Sequence, residues 1–130
     1  IRPMCFYGAQ GMGLRADNLK THCIVAAWEW PSYMSPEAFD EGIKIKISSY
    51  KRQTNNLVSR SKVNGNYVTS IMALQEAMQE GFDEALLLDD ETNISEGSGE
   101  NLFLVKEGKL FTPDLAASLN GISRVIETAP

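Results

Sequence analysis

Histidine is almost absent from this chain of 130 residues: His22 stands alone, accompanied by only two cysteines, Cys5 and Cys23. A multi-histidine metal site is therefore excluded, and Cys5, Cys23 and His22 lack zinc-finger spacing. A Ser-His-Asp triad would have to use His22, and no Gly-x-Ser-x-Gly elbow serves it. Two cysteines make no disulfide framework; one bridge is possible, but a reduced cytoplasmic pair is the simpler reading. Basic residues are also scarce, with 12 Lys and Arg against 17 Asp and Glu and a formal net charge of -5. That balance argues against a dedicated nucleic-acid binder, which carries a basic face. No apolar run approaches membrane-spanning length, the longest being Cys23 to Trp28. Repeats, low-complexity stretches and linkers are missing as well. No Gly-x-x-x-x-Gly-Lys-Ser/Thr loop occurs, which removes P-loop chemistry. Gly8, Gly11 and Gly13 run in the wrong order for a dinucleotide fingerprint and read as a glycine-rich turn.

What is present is 43% hydrophobic and 22% charged, a balance that suits one ordinary domain with a real core. The chain opens at Ile1-Arg2-Pro3, with no initiator Met and no signal pattern, and stops at Pro130 soon after a new helix begins at Ile122. Both ends read as cuts through a larger protein. Met4 to Tyr7 is a short apolar run, and Cys23 to Trp30 suits a buried strand. Ser35-Pro36-Glu37 starts a short helical turn. Ile43, Ile45 and Ile47 alternate with Lys44, Lys46 and Ser48, which predicts a strand with one face buried. From Tyr67 to Gln79 the period becomes helical: Tyr67, Ile71, Leu74 and Met78 share a face, Val68 and Met72 lie beside it, and Gly81 ends the helix. Glu84 to Leu88 reads as a strand and Asp89 to Asn93 as a polar turn. Asn101 to Val105 and Lys109 to Phe111 make a hairpin around Glu107-Gly108. Strands, one solid helix and more strands define an α+β chain rather than a βαβ series.

Three segments carry chemistry. In Ser61-Lys62-Val63-Asn64-Gly65-Asn66-Tyr67 a lysine precedes a glycine turn and a helix. Taken alone, Lys62 reads as an ordinary solvated amine. In Ile94-Ser95-Glu96-Gly97-Ser98-Gly99-Glu100-Asn101-Leu102-Phe103 a carboxylate at a strand end is followed by glycines and small polar residues. Such a stretch lets backbone approach a ligand, or simply makes a bulge. In Leu119-Asn120-Gly121-Ile122-Ser123-Arg124 a glycine turn precedes a helix, where free N–H groups suit a phosphate.

Together, in this order and at these intervals, the three segments resemble the class IV (fold-type IV) pyridoxal-phosphate-dependent aminotransferases, and among them the branched-chain amino acid aminotransferases. The resemblance runs over nearly the whole chain. It implies that residues 1–130 form part of the large, cofactor-binding domain, a mostly antiparallel, barrel-like sheet with one major helix. The implied reaction transfers an amino group between branched-chain L-amino acids and 2-oxoglutarate, in a cytoplasmic enzyme that is a homodimer or larger homo-oligomer, with no nucleic-acid or membrane partner. Lys62 would bond the cofactor's aldehyde and move the proton of the reaction, which asks for a buried pocket to lower its pKa. Glu96 would face the pyridine nitrogen, Tyr67 would hydrogen-bond the phenolate oxygen, and the N–H groups of Ile122 and Ser123 would hold the phosphate. Ser123 stands where the family usually has Thr, which preserves the hydroxyl. Arg2, Trp30 and Tyr33 match substrate-side positions, although Trp28-Glu29 departs from the more usual Phe-Pro. Family members are more than twice this long, and their phosphate-binding arginine and C-terminal substrate loop have no counterpart here, so the segment alone is expected to bind cofactor weakly. Two rival readings are D-amino acid transamination or aminodeoxychorismate lysis on the same scaffold, and a non-catalytic piece in which Lys62 is a surface residue.

Overall fold

Alternating residues, turn glycines and one helical period build the chain as two units, Ile1–Pro36 and Glu37–Pro130. A computed structural model describes residues 1–32, 34–54 and 60–127. In the first unit β1 (Arg2–Tyr7) and β2 (Thr21–Ala26) pair antiparallel, with Arg2 opposite Ala26 and Tyr7 opposite Thr21. Every residue of both strands is exposed within this chain, so the buried strand expected over Cys23 to Trp30 is not found. It is shorter than expected, and neither of its faces is covered among the described residues.

Helix α1 (Pro36–Glu41) starts on the last residue of the first unit, and its proline sits at the first helical position as expected; the rest of the helix opens the second unit. That unit continues through β3 (Ile45–Arg52), a 3-10 turn (Asn64–Asn66), α2 (Tyr67–Gln79), β4 (Glu84–Asp89) and β5 (Ile94–Gly97). The hairpin β6 (Leu104–Lys106) and β7 (Lys109–Phe111) follows, then α3 (Ile122–Glu127). Glu107 and Gly108 have φ of 52° and 73°, the pair of left-handed residues that a tight two-residue hairpin turn requires. The pairings β1–β2, β4–β5 and β6–β7 are antiparallel, but β3 and β4 run parallel with α2 carrying the chain between them. One βαβ unit thus sits inside the α+β chain, and the described strands form three separate sheets.

Helix α2 has the predicted bounds but docks by a different face. Its buried residues are Ser70, Ala73 and Ala77, whereas Tyr67, Val68, Ile71, Met72 and Met78 are exposed. The reason is steric: small residues let the helix backbone lie close over β3 and β4. Ala73 and Ala77 then pack with Ala85 and Leu87 of β4, and Tyr50 and Phe82 close the edges. Strand β3 is inverted relative to its pattern in the same way. Its isoleucines Ile45 and Ile47 are exposed, while Lys46, Ser48, Tyr50 and Arg52 are the more buried set.

Polar contacts make that arrangement possible. Lys46 Nζ donates to Glu80 Oε1 at 2.6 Å, and Ser48 Oγ donates to Glu76 Oε2 at 2.6 Å. The Ser49 N–H donates to the same carboxylate at 3.0 Å. These serine hydrogen bonds hold the Glu76 carboxyl down at about 2 from its ordinary 4.5. A depressed carboxyl stabilises the fold above its unfolded value, and that contribution disappears as pH falls through the folded one. The melting midpoint of the wild type is therefore expected to exceed that of Glu76→Gln at neutral pH. Thermal scans should show the gap closing between pH 4.5 and about 2; a constant gap would rule out the carboxylate as the link between α2 and β3.

Candidate active site

The second unit contains a cavity of about 310 Å³ whose lining includes Arg52, Lys62, Tyr67, Glu96, Ser98 and Leu119. They arrive from several separate parts of the chain. Arg52 ends β3, Lys62 precedes the 3-10 turn, Tyr67 starts α2, Glu96 lies in β5, and Leu119 comes just before α3. Lys62 Nζ sits 5.8 Å from the centre of the Tyr67 ring, within cation–π range.

Glu96 is the buried member, 7% exposed. Burial raises its carboxyl above the ordinary value, opposed by the Leu119 N–H and by the charges of Arg52 and Lys62. The Leu119 N–H donates to Oε2 at 3.0 Å. Arg52 Nε stands 3.0 Å from Oε1, an ionic contact in which the Nε–H is not aimed at the carboxylate and finds no hydrogen-bond acceptor. The remaining guanidinium nitrogens are engaged. Nη1 donates to the Asn66 carbonyl at 3.2 Å and Nη2 to Ser70 Oγ at 2.7 Å. One arginine thus ties the end of β3 to the start of α2 and to the acid of β5.

The glycine stretch after Glu96 is held by two more acids. Glu84 Oε1 accepts from the Ala85 and Ser98 N–H groups at 2.7 and 3.3 Å. Glu100 Oε2 accepts from the Gly99 N–H at 3.0 Å, and the Glu100 carbonyl accepts from Gly97 N–H at 2.8 Å. Burial first, then the neighbouring Glu84 and Glu96 charges, raise the Glu100 carboxyl against the pull of Gly99. A Cβ on Gly97 would lie 2.9 Å from Glu100 Oε2, so this close turn requires glycine. The third segment is moored to the second: Asn101 Nδ2 donates to the Leu119 carbonyl at 2.8 Å. A Cβ on Gly121 would overlap Asn101 Oδ1.

Lys62, Tyr67 and Glu96 therefore meet in one cavity. Lys62 nevertheless is exposed, contrary to the buried amine the chemistry asks for, because the described residues leave it open to solvent. Ile122 and Ser123 begin α3 and are exposed; neither lines the cavity, which that loop reaches through Leu119. Arg2 and Trp30 lie in the first unit, where the Arg2 guanidinium carbon stands 5.8 Å from the Trp30 ring centre and 6.0 Å from that of Trp28. Tyr33 falls outside the described residues. Sequence reasoning missed Arg52, Glu84 and Glu100. For Arg52 a signal existed: it continues the Lys46, Ser48, Tyr50 alternation that faces α2.

A buried carboxylate beside a guanidinium, with an amine and a phenol on the same cavity, is a convergence of titratable groups of the kind that marks a binding or catalytic site. Residues 1–126 match the family model "Amino-transferase class IV"; the chain belongs to this family. It is 54% identical over 125 residues to the branched-chain-amino-acid aminotransferase of Pseudomonas aeruginosa, covering 95% of this chain and 41% of that protein. Its structure is similar to the crystal structure of the Escherichia coli branched-chain amino acid aminotransferase, with a TM-score of 0.88 and 40% identity over 96% of this chain and 43% of that one. The crystal structure of the T.th. branched-chain amino acid aminotransferase with pyridoxamine 5'-phosphate is also similar, with a TM-score of 0.82 and 40% identity over 96% of this chain and 42% of that one. The chain thus spans about two fifths of the length of these relatives.

Removing one partner of a buried ion pair leaves an uncompensated charge, which costs about 3 kcal/mol. Arg52→Met is expected to lower the unfolding free energy by about that amount at neutral pH, measured with urea. The loss should shrink as pH falls through the raised range of the Glu96 carboxyl, which once protonated no longer needs the cation. Glu96→Gln combined with Arg52→Met should recover part of it; equal losses across that range would show that the pair carries no charge coupling.

Proposed function

We propose that this chain is part of the large, cofactor-binding domain of a pyridoxal-phosphate-dependent aminotransferase that moves amino groups between branched-chain L-amino acids and 2-oxoglutarate. The observation that carries the reading is the convergence of Lys62, Tyr67 and buried Glu96 on one cavity. The relatives named above support the substrate class, and the pyridoxamine 5'-phosphate in the T.th. structure supports the cofactor. A cytoplasmic homodimer, or a larger homo-oligomer, is the setting this reading carries with it.

The residues fit the group by their chemistry. Pyridoxal phosphate, when bound, supplies an aldehyde for the amino group and an electron sink for the carbon that loses its proton. Lys62 Nζ would be the amine that holds that aldehyde and the base that moves the proton at the substrate Cα. Glu96 holds a proton on the ring nitrogen. Its two oxygens keep lone pairs beyond those turned to Arg52 and the Leu119 N–H. A ring cation would also repay the desolvation that raises this carboxyl, so cofactor binding and Glu96 ionisation support each other. The Tyr67 hydroxyl orients the phenolate edge. The N–H groups of Ile122 and Ser123 are assigned to the phosphate, and Arg2, Trp30 and Tyr33 to the substrate. Because Lys62 is exposed in this chain, exclusion of water around its amine has to come from the bound cofactor and the rest of the enzyme.

Borohydride reduction of the protein with pyridoxal phosphate should fix the label on Lys62, mapped by mass spectrometry, and Lys62→Ala should lose it. Label scattered over many lysines would refute the assignment. Glu96→Gln removes a charge-assisted hydrogen bond of about 1.5–3 kcal/mol, so its cofactor affinity is expected to drop roughly tenfold to a hundredfold. In the wild type, affinity should fall as pH drops through the raised range of Glu96, and in Glu96→Gln that dependence should vanish. A panel of L- and D-amino acids with 2-oxoglutarate then tests the substrate class; turnover of the D-enantiomers alone would overturn it.

A further inference from the structure

The proposed reaction leaves Cys5 and Cys23 without a role, yet the β1–β2 register sets them directly opposite each other. The phase of that ladder is readable. Gly8 N–H donates to the Lys20 carbonyl at 2.8 Å, which makes Gly8 and Lys20 a hydrogen-bonded pair. Pairs alternate along an antiparallel ladder, so Tyr7/Thr21 is a non-hydrogen-bonded pair, Phe6/His22 a hydrogen-bonded one, and Cys5/Cys23 non-hydrogen-bonded again. In such pairs the Cα atoms approach to about 4.5 Å and the side chains lie closest. That separation is within the span of a disulfide. The two sulfurs stand 2.8 Å apart, sharing a hydrogen bond, and both cysteines are free and exposed. This hydrogen bond is also what raises the Cys5 thiol. Among the described residues no group of three or more His, Cys, Asp or Glu could hold a metal ion.

We infer that Cys5 and Cys23 are a redox-responsive thiol pair that closes to an intrachain disulfide when hydrogen peroxide oxidises it. The chemistry balances in two steps. One thiolate attacks a peroxide oxygen; the O–O bond breaks, water leaves after proton transfer, and that sulfur becomes a sulfenic acid. The second thiol, already in contact, attacks this sulfur; the S–S bond forms, the S–O bond breaks and a second water leaves. Two electrons pass from the sulfurs to the peroxide. Because the strands are already in register, closure needs no change in pairing, and it staples β1 to β2 three residues after Arg2.

Peroxide treatment of the reduced protein, followed by tryptic mapping without reduction, tests this. The expected product is a cross-link between the peptide ending at Arg15 and the peptide Thr21–Lys44, lower in mass by two hydrogens and separated by dithiothreitol. Cys5→Ser and Cys23→Ser should each abolish the cross-link while keeping the circular dichroism spectrum, since both positions are exposed. Sulfinic or sulfonic acid at either cysteine without the cross-link, a bond between two copies of the chain, or two thiols that survive peroxide would each overturn the inference.

Discussion

The site depends on keeping one carboxylate ionised although its side chain is buried. Burying an unpaired carboxylate is prohibitive, and a protein normally resolves the problem by protonating it. Here the fold answers with three opposing influences: a backbone N–H from Leu119, the Arg52 guanidinium, and the more distant Lys62 ammonium. Desolvation still outweighs them, because the Glu96 carboxyl remains above its ordinary value. An acid balanced in this way responds strongly to one further cation, which is the property a protonated ring nitrogen would exploit.

The same guanidinium explains why α2 and β3 meet by their less apolar faces. Had Ile45, Ile47, Ile71 and Met72 formed the interface, Arg52 and Ser70 would have pointed away from each other, and Glu96 would have lost its counter-ion. Instead the helix lies on Ser70, Ala73 and Ala77, close enough for Ser70 Oγ to accept from Arg52 and for Glu76 to accept from Ser48. The apolar contribution of this interface is small, since Leu87 is the one large side chain fully enclosed among the described residues. Polar contacts of high geometric specificity take a correspondingly larger share in setting the register of helix on sheet.

Some element boundaries were legible because local chemistry encodes them. Pro36 starts α1, Gly81 with φ of 81° ends the α2 segment, and Glu107-Gly108 turns the last hairpin. The convergence of Lys62, Tyr67 and Glu96 was legible only through three motifs read together, since Lys62 alone also reads as a solvated surface amine and the Glu96 stretch alone as a bulge. Which faces are buried was not legible. Periodicity reports that a face is apolar but not which neighbour covers it, and both β3 and α2 carry two usable faces. The parallel pairing of β3 with β4 escaped for a related reason: the polar run between β3 and α2 reads as a loop whatever direction the next strand takes. The pairing of Arg52 with Glu96 and of Glu84 with Glu100 escaped because these contacts cross 44 and 16 positions of sequence.

The two ends of the site are held in unequal ways, and that inequality fits the tasks proposed for them. Glu96 is gripped from β3 and from the loop before α3, so its position is a consequence of folding itself. Lys62 sits before the 3-10 turn, exposed, its ammonium over the Tyr67 ring. A group that only has to hold a proton in place gains from rigidity. A group that must bond, let go and carry a proton between two atoms needs rotamer freedom, which a long flexible side chain on an exposed segment retains. The energetic consequence separates the two kinds of residue. Under the proposed function, changes at Arg52 or Glu96 would disturb the fold and the chemistry together, whereas a change at the exposed amine would remove chemistry with little effect on stability.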